Sequence, residues 1–239
     1  MSIPQGTIKE IEFESSELNE TLTLLLYLPA SFSPLFNYSL VIAQDGKDYF
    51  QMGRLARYAD ELIDDGEIEN IIAVGVPYKS VKDRRNKYHP QSKEHQAYIR
   101  FLAHELVPWI DREYPTYEVG KSRALMGDSL AATVSLLAAL KYPNVFGKVI
   151  LHSPYVNKSV LDAVNIHEFP HLLDVYHVIG DKESNVEISD MKDFLTPNRE
   201  LHHLFEKKGF HHFYEEFSGG HSWKYWQPDV KRALQQMFS

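Results

Sequence analysis

Apolar positions along the chain alternate between a two-residue and a three-to-four-residue rhythm, and that alternation predicts the order of elements. Thr7–Glu14 carries Ile8, Ile11 and Phe13 among polar residues, and Thr21–Leu28 continues as an apolar strand ending at Pro29, so two antiparallel strands open the chain. Pro29 to Tyr38 is rich in turn residues. Ser39–Ala43 reads as a short buried strand that runs into the loop signal Gln44-Asp45-Gly46-Lys47. Tyr49–Leu62 has helical spacing, with Phe50, Met52, Leu55, Ala59 and Leu62 on it and Asp64-Asp65-Gly66 as its stop. Ile71–Val76 is an unbroken, β-branched run, the mark of a strand buried on both faces.

Ser80–Ser92 is polar and charged and reads as a loop, and Glu94–Asp111 is the strongest helix, with Tyr98, Phe101, Leu102, Leu106 and Ile110 on one side. Strand Ala124–Met126, helix Leu130–Leu140, strand Val149–His152, a weak helix Val160–Val164 and strand Leu172–Ile179 follow. Glu187–Lys208 is helical in outline with a break expected at Pro197. Strand His211–Phe217 and helix Pro228–Phe238 close the chain. Strands alternating with helices predict an α/β fold: a mostly parallel central sheet with antiparallel N-terminal strands and helices on both faces. No repeat or linker divides the chain, so 1–239 reads as one domain. Such sheets bind ligands beyond the carboxyl ends of their strands, which singles out loops 44–48, 77–92, 127–131, 153–157, 180–186 and 217–223.

Composition removes several classes of function. With 239 residues, 44% of them apolar, the chain can bury one substantial core. A net charge of −8 without a Lys/Arg stripe argues against a nucleic-acid partner. The absence of cysteine excludes disulfides and thiolate metal sites. No apolar run is long enough to span a bilayer and no signal-peptide pattern opens the chain, so a cytoplasmic protein with no membrane partner is expected. The oligomeric state stays open, a homodimer included.

Chemistry enters at Met126-Gly127-Asp128-Ser129-Leu130-Ala131. An apolar strand, a Gly-x-Ser-x-small turn and an apolar helical pattern follow one another there, the context of a nucleophile elbow, where larger side chains at Gly127 and Ala131 would meet neighbouring backbone. A neutral serine is a weak nucleophile and needs a base, which in turn needs an orienting acid. His221 follows the last strand in a Gly-rich turn. The acid is expected after the preceding strand, where a Gly-x-x-acid spacing favours Glu183 and Asp181 is the alternative. Serine, acid, histidine is the chain order of α/β-hydrolases. The oxyanion calls for backbone N–H groups, those of Leu130 and of Lys47, with Gly46 permitting close approach. Among the twelve histidines, His202, His203, His211 and His212 read as surface or packing residues and not a metal site, since adjacent helical histidines are expected to point apart and no carboxylate is expected at ligand spacing. His152 reads as packing or a pocket wall.

The sequence resembles the esterase D-like, or putative esterase, family of α/β-hydrolases, which includes enterochelin-esterase-type enzymes. The resemblance rests on Asp45-Gly46, Val74–Tyr78 with Arg84-Arg85 and Tyr88, Phe101 through Glu105, Leu106, Pro108, Ile110 and Tyr114, the elbow, Gly180–Glu183, and Glu216 with Gly219-Gly220-His221-Ser222-Trp223 and Trp226. It runs from about residue 5 to the C-terminus and departs at Ala131-Ala132, where the family commonly has Gly-Gly. It implies a serine esterase with no metal or organic cofactor. The expected function is a serine carboxylic-ester hydrolase acting on small-molecule esters with small or aromatic acyl groups. A siderophore trilactone esterase of enterobactin or bacillibactin type, an acyltransferase with the same triad and a non-catalytic binding relative are the alternatives. Tyr88, Tyr155, Trp223 and Trp226 could line an aromatic-accepting cleft, and Arg84 and Arg85 could meet an anion. The chain has no room for an inserted lid, which disfavours a long-chain lipase.

Overall fold

A computed structural model of the chain describes residues 3–187 and 191–239. Its strands are β1 (Thr7–Ser15), β2 (Glu20–Leu28), β3 (Ser39–Gln44), β4 (Ile71–Val76), β5 (Arg123–Asp128), β6 (Lys148–His152), β7 (Asp174–Gly180) and β8 (His211–Phe217). They form one sheet in the order β1-β2-β4-β3-β5-β6-β7-β8. β1 pairs antiparallel with β2, β2 antiparallel with β4, and every pairing beyond is parallel. β3, β4 and β5 are buried at every position, because helices cover both faces. On one face Leu22, Leu24, Leu26 and Leu28 of β2 join a core with Phe101, Leu102, Val134 and Leu201. On the other, Tyr27 joins Leu55, Leu62, Val230 and Leu234. Among the described residues no helix is long and apolar enough to cross a membrane.

The helices depart from expectation in instructive places. Instead of one helix over 49–62 there are α1 (Gly46–Gln51) and α2 (Leu55–Asp64). The break falls at Gly53, where a Cβ would sit 2.6 Å from the Tyr49 carbonyl oxygen and 2.9 Å from the Trp223 ring, and at Arg54, whose φ is 56°. The polar stretch read as a loop contains α3 (Val81–Tyr88), started by Ser80, whose hydroxyl accepts the Asp83 N–H at 3.2 Å. The residues it buries are Tyr88 and Lys87, and the latter pairs with Glu20 and Asp83, so no apolar stripe advertises it. The long helix is α4 (His95–Arg100), a π-helical stretch (Phe101–Leu106) and α5 (Val107–Glu113). The Val107 N–H reaches back five residues to Leu102, and Pro108, which has no N–H to give, follows the register shift.

Beyond β5 come α6 (Leu130–Lys141), α7 (Lys158–Ile166), α8 (Leu195–Lys208) and α9 (Trp223–Phe238). Pro197 lies in the first turn of α8, where a missing N–H costs nothing, so it does not break the helix. Residues 188–190 of the helix expected there lie outside the described residues. α9 starts five residues before the expected Pro228, which sits inside it.

Several histidines are packed away from water. Burial pushes His95 and His177 down to about 4 and His212 to about 2. Unfolded, each titrates near ~6.5, so above that pH the folded state loses nothing by holding them neutral, and below it only the unfolded chain takes up protons. Stability should therefore fall as the pH drops through and below about 6.5. Urea unfolding is expected to show a lower midpoint near pH ~5 than near pH ~7.5, with His212→Phe narrowing the gap. An unchanged gap in that variant would contradict the assignment.

Candidate active site

Ser129 joins β5 to α6 with φ 54° and ψ −123°, a conformation that side chains resist. Its N–H donates to the His152 carbonyl at 2.9 Å, and its own carbonyl accepts the Tyr155 N–H at 3.2 Å, so neighbouring strand ends lock the turn. Gly127 is required by close approach: a Cβ there would lie 2.3 Å from the carbonyl carbon of Ala131. Ser129 occupies the N-cap position of α6, yet its side chain makes no capping bond. An ordinary cap serine would spend its hydroxyl there.

Glu183 is 0% exposed. Its Oε2 lies 2.6 Å from His221 Nδ1, and its Oε1 accepts the Ser153 hydroxyl at 2.7 Å and the Gly180 N–H at 2.9 Å. With Nδ1 engaged, Nε2 is the nitrogen His221 has left for another partner. Asp181, the alternative acid, is exposed, and its Oδ1 accepts the Gly219 N–H at 2.9 Å, fastening the turn before His221. The structure thus brings Glu183, not Asp181, to the imidazole. The His221 ring packs against Phe194 and edge-on to Trp226, with centroids at 4.4 Å and 4.9 Å.

One residue whose role the sequence reading missed, Ser153, completes this corner together with Trp226. Ser153, with φ 48°, donates to Glu183 and accepts the Trp226 indole N–H at 2.9 Å. Ser-Pro after the apolar strand β6 was the available signal, but nothing in it said what the hydroxyl would meet.

On the opposite side of Ser129, Asp45 (φ 53°) turns the chain from β3 into α1. A Cβ on Gly46 would lie 2.3 Å from the Val76 nitrogen, so glycine is needed there for close approach to β4. Lys47 and Leu130 fall in the first turns of α1 and α6, where backbone N–H groups have no intrahelical acceptor. Arg84 grips the buried Asp45 carboxylate, Nε at 2.8 Å and 2.9 Å from its two oxygens, and reaches the Asp128 carbonyl at 3.3 Å. Burial, with Asp45 close by, pushes Asp128 well above the usual carboxylate range.

The expected cleft residues divide. Tyr88 is 1% exposed and its hydroxyl accepts the Asp45 N–H at 3.2 Å, so it builds the turn and lines no cleft. Trp226 is buried as well. Tyr155 and Trp223 are half-buried, the first packed near Phe194 and the second edge-on to Tyr49 at 4.8 Å. Arg84 is held by Asp45 and does not stand free for an anion. His152 is core: Nδ1 meets the Tyr49 hydroxyl at 2.9 Å and Nε2 meets Asp229 at 3.1 Å. On α8 the adjacent His202 and His203 do not diverge as expected, because Glu206 lies 3.6 Å and 3.4 Å from their ring nitrogens. These are the residues, among those described, whose donor atoms gather closely enough for a metal, all within 4.8 Å. Pairing of helical side chains three and four apart is ordinary without one.

The sheet order, the elbow at the end of β5 and the acid and histidine at the ends of β7 and β8 define the α/β-hydrolase fold. A solved ferulic acid esterase shares it, at TM-score 0.81 and 17% identity over 98% of each chain. An enterobactin esterase from Shigella flexneri does so at TM-score 0.82 and 17% identity over 98% of this chain and 60% of its own. At such identities the likeness is one of fold. The sequence profile of the family described as "Putative esterase" matches residues 15–237, and the chain belongs to that family. The uncharacterized protein YjcH of Bacillus subtilis (strain 168) is 53% identical over 239 residues, 99% of this chain and all of its own.

The elbow makes a stability prediction. Glycine takes positive φ without strain, so Ser129→Gly is expected to unfold at higher denaturant than Ser129→Ala, by about 1 kcal/mol. Equal stabilities would mean that the turn stores no strain.

Proposed function

We propose that the chain is a serine carboxylic-ester hydrolase working through an acyl-enzyme. Membership of an esterase family supports ester hydrolysis. The observation that carries the serine mechanism is the 2.6 Å contact between His221 Nδ1 and buried Glu183, taken together with a serine held on a strained turn with no capping bond. Glu183 accepts the Nδ1–H and fixes the tautomer that leaves Nε2 unprotonated. Nε2 takes the Ser129 hydroxyl proton as Oγ attacks the ester carbonyl carbon. The carbonyl π electrons move onto oxygen, where the N–H groups of Leu130 and Lys47 meet the charge. When the tetrahedral adduct collapses, the C–O bond to the alcohol breaks and imidazolium returns the proton to it. Water, deprotonated by the same nitrogen, then releases the acid and restores Ser129. No metal or organic cofactor takes part in this scheme. The reading extends to esters with small or aromatic acyl groups, and the partly exposed rings of Tyr155 and Trp223 give the histidine's side of the site aromatic walls.

Ser129→Ala is expected to lower kcat for p-nitrophenyl acetate by roughly 10⁴-fold or more and to abolish labelling by a fluorophosphonate. Retained turnover would sink the mechanism. Glu183→Gln should cost roughly a hundredfold or more and Asp181→Asn no more than about threefold; the reverse order would reassign the acid. An acyltransferase would instead favour an added alcohol over water as acceptor, read as transesterified product.

A further inference from the structure

The β1–β2 hairpin overshoots its neighbour. Leu25 pairs with Gly75 near the end of β4, so Thr23 and Thr21 extend past the carboxyl edge of that strand. Alternation along β2 sends these odd-numbered residues to the face that carries α1, since Leu22, Leu24 and Leu26 point into the opposite core. Opposite them, α1 presents Lys47 and Gln51 one helical turn apart, and Pro77-Tyr78 closes the end. Together they enclose a cavity of about 340 Å³. The Tyr78 hydroxyl donates to Asp48 at 3.2 Å, which fixes the ring that forms one wall.

Lys47 connects this cavity to the reacting centre, because its backbone N–H is one of the two groups assigned to the oxyanion. A larger hollow of about 550 Å³, bounded by Ile99, Leu137 and Ile166, includes none of the site's residues. Strand order gives direction. Ser129 follows β5, His221 follows β8, and the cavity lies at β4 and β2 on the other flank. His221 must hand its proton to the departing alcohol, so the alcohol lies on the β8 side and the acyl group runs the other way.

We propose that the cavity between α1 and the β1–β2 hairpin is the acyl pocket, and that it takes a short, uncharged acyl group bearing hydroxyl substituents. This rests on the ester-hydrolase reading above. Leu25, Pro77 and the Tyr78 ring offer an apolar wall, the Gln51 amide offers a donor and an acceptor, and the Thr23 hydroxyl, which donates to Glu12 at 2.7 Å, keeps its oxygen as an acceptor. Charge is balanced: one lysine and one glutamate, Lys47 and Glu10, line the cavity, and Lys79 is paired with Glu20 at 2.6 Å. The volume lies at the small end of ligand sites, roughly 300–1,000 Å³, which admits one ring or a few carbons and not a fatty chain.

Thr23→Trp and Gln51→Trp fill the cavity from two elements, at exposed positions outside the catalytic machinery. The two probes share one leaving group: p-nitrophenyl acetate, too short to enter, and p-nitrophenyl 4-hydroxybenzoate. Each variant is expected to lower kcat/KM for the hydroxybenzoate at least about tenfold and to leave the acetate within about twofold of wild type. Both esters unaffected in both variants, or both slowed alike, would overturn the pocket. With the acyl group held as acetyl, a loss that instead tracks the size of the alcohol would overturn its assignment to the acyl side. Wild type inert toward both esters would remove the hydrolase reading itself, an outcome distinct from the other three.

Discussion

A carboxylate with no water contact is the constraint around which one flank of this protein is arranged. Burying an ionised group costs several kcal/mol unless donors meet it, and Glu183 is met on both oxygens. Those donors come from different elements: the Ser153 hydroxyl at the end of β6, the Gly180 N–H at the end of β7 and the imidazole beyond β8. Each places a demand on the backbone. A Cβ at residue 180 would lie 2.7 Å from the carboxylate, so glycine is required. Ser153 must hold a positive φ, and Trp226 of α9 braces its hydroxyl. The Glu183 carbonyl accepts the N–H groups of Phe194 and Leu195, which ties the start of α8 to the same point. Three strands and two helices are therefore positioned with reference to one side chain.

The other flank depends on a second buried charge. Asp45 and Arg84 form a two-pronged ion pair, the geometry that makes such pairs strong, and Arg84 arrives on a helix that the sequence hides. The pair holds the turn between β3 and α1, and with it the Lys47 N–H. Its second contact, to the Asp128 carbonyl, reaches the residue before Ser129. The elbow is thus gripped from both sides, by Arg84 on the Asp128 carbonyl and by the His152 carbonyl of β6 on the Ser129 N–H.

What could be read in the sequence follows from which signals are local. β4 and β8 fall at their expected bounds, because a buried β-branched run and a strand bounded by turns are self-contained patterns. The elbow and the Gly-rich turn of His221 were equally legible. Helix α3 was not, since its core-facing side is one tyrosine and one paired lysine. The split at Gly53 depends on a tryptophan 170 residues away along the chain pressing on it, which no window of sequence contains. For the same reason the choice between Glu183 and Asp181, two residues apart, depends on the position of His221, and the place of Tyr88 depends on Asp45, whose N–H donates to its hydroxyl.

Strain separates the proposed nucleophile from the residues beside it at neighbouring strand ends. Asp45, Ser129 and Ser153, with φ of 53°, 54° and 48°, each stand first beyond a strand, at the ends of β3, β5 and β6. Such conformations cost about 1–3 kcal/mol each in non-glycine residues and persist only where the surroundings impose them. For two of the three the return is structural: the Asp45 carboxylate binds Arg84, and the Ser153 hydroxyl binds Glu183. Glycine would relieve either turn only by deleting a buried bond. Ser129 is different. Its backbone is held as firmly as the others, yet its hydroxyl makes no cap, so glycine at that position would lose strain and no structural contact that the fold uses. A side chain that the fold does not need, kept where the fold must strain to hold it, is what the proposed nucleophilic role of Ser129 requires.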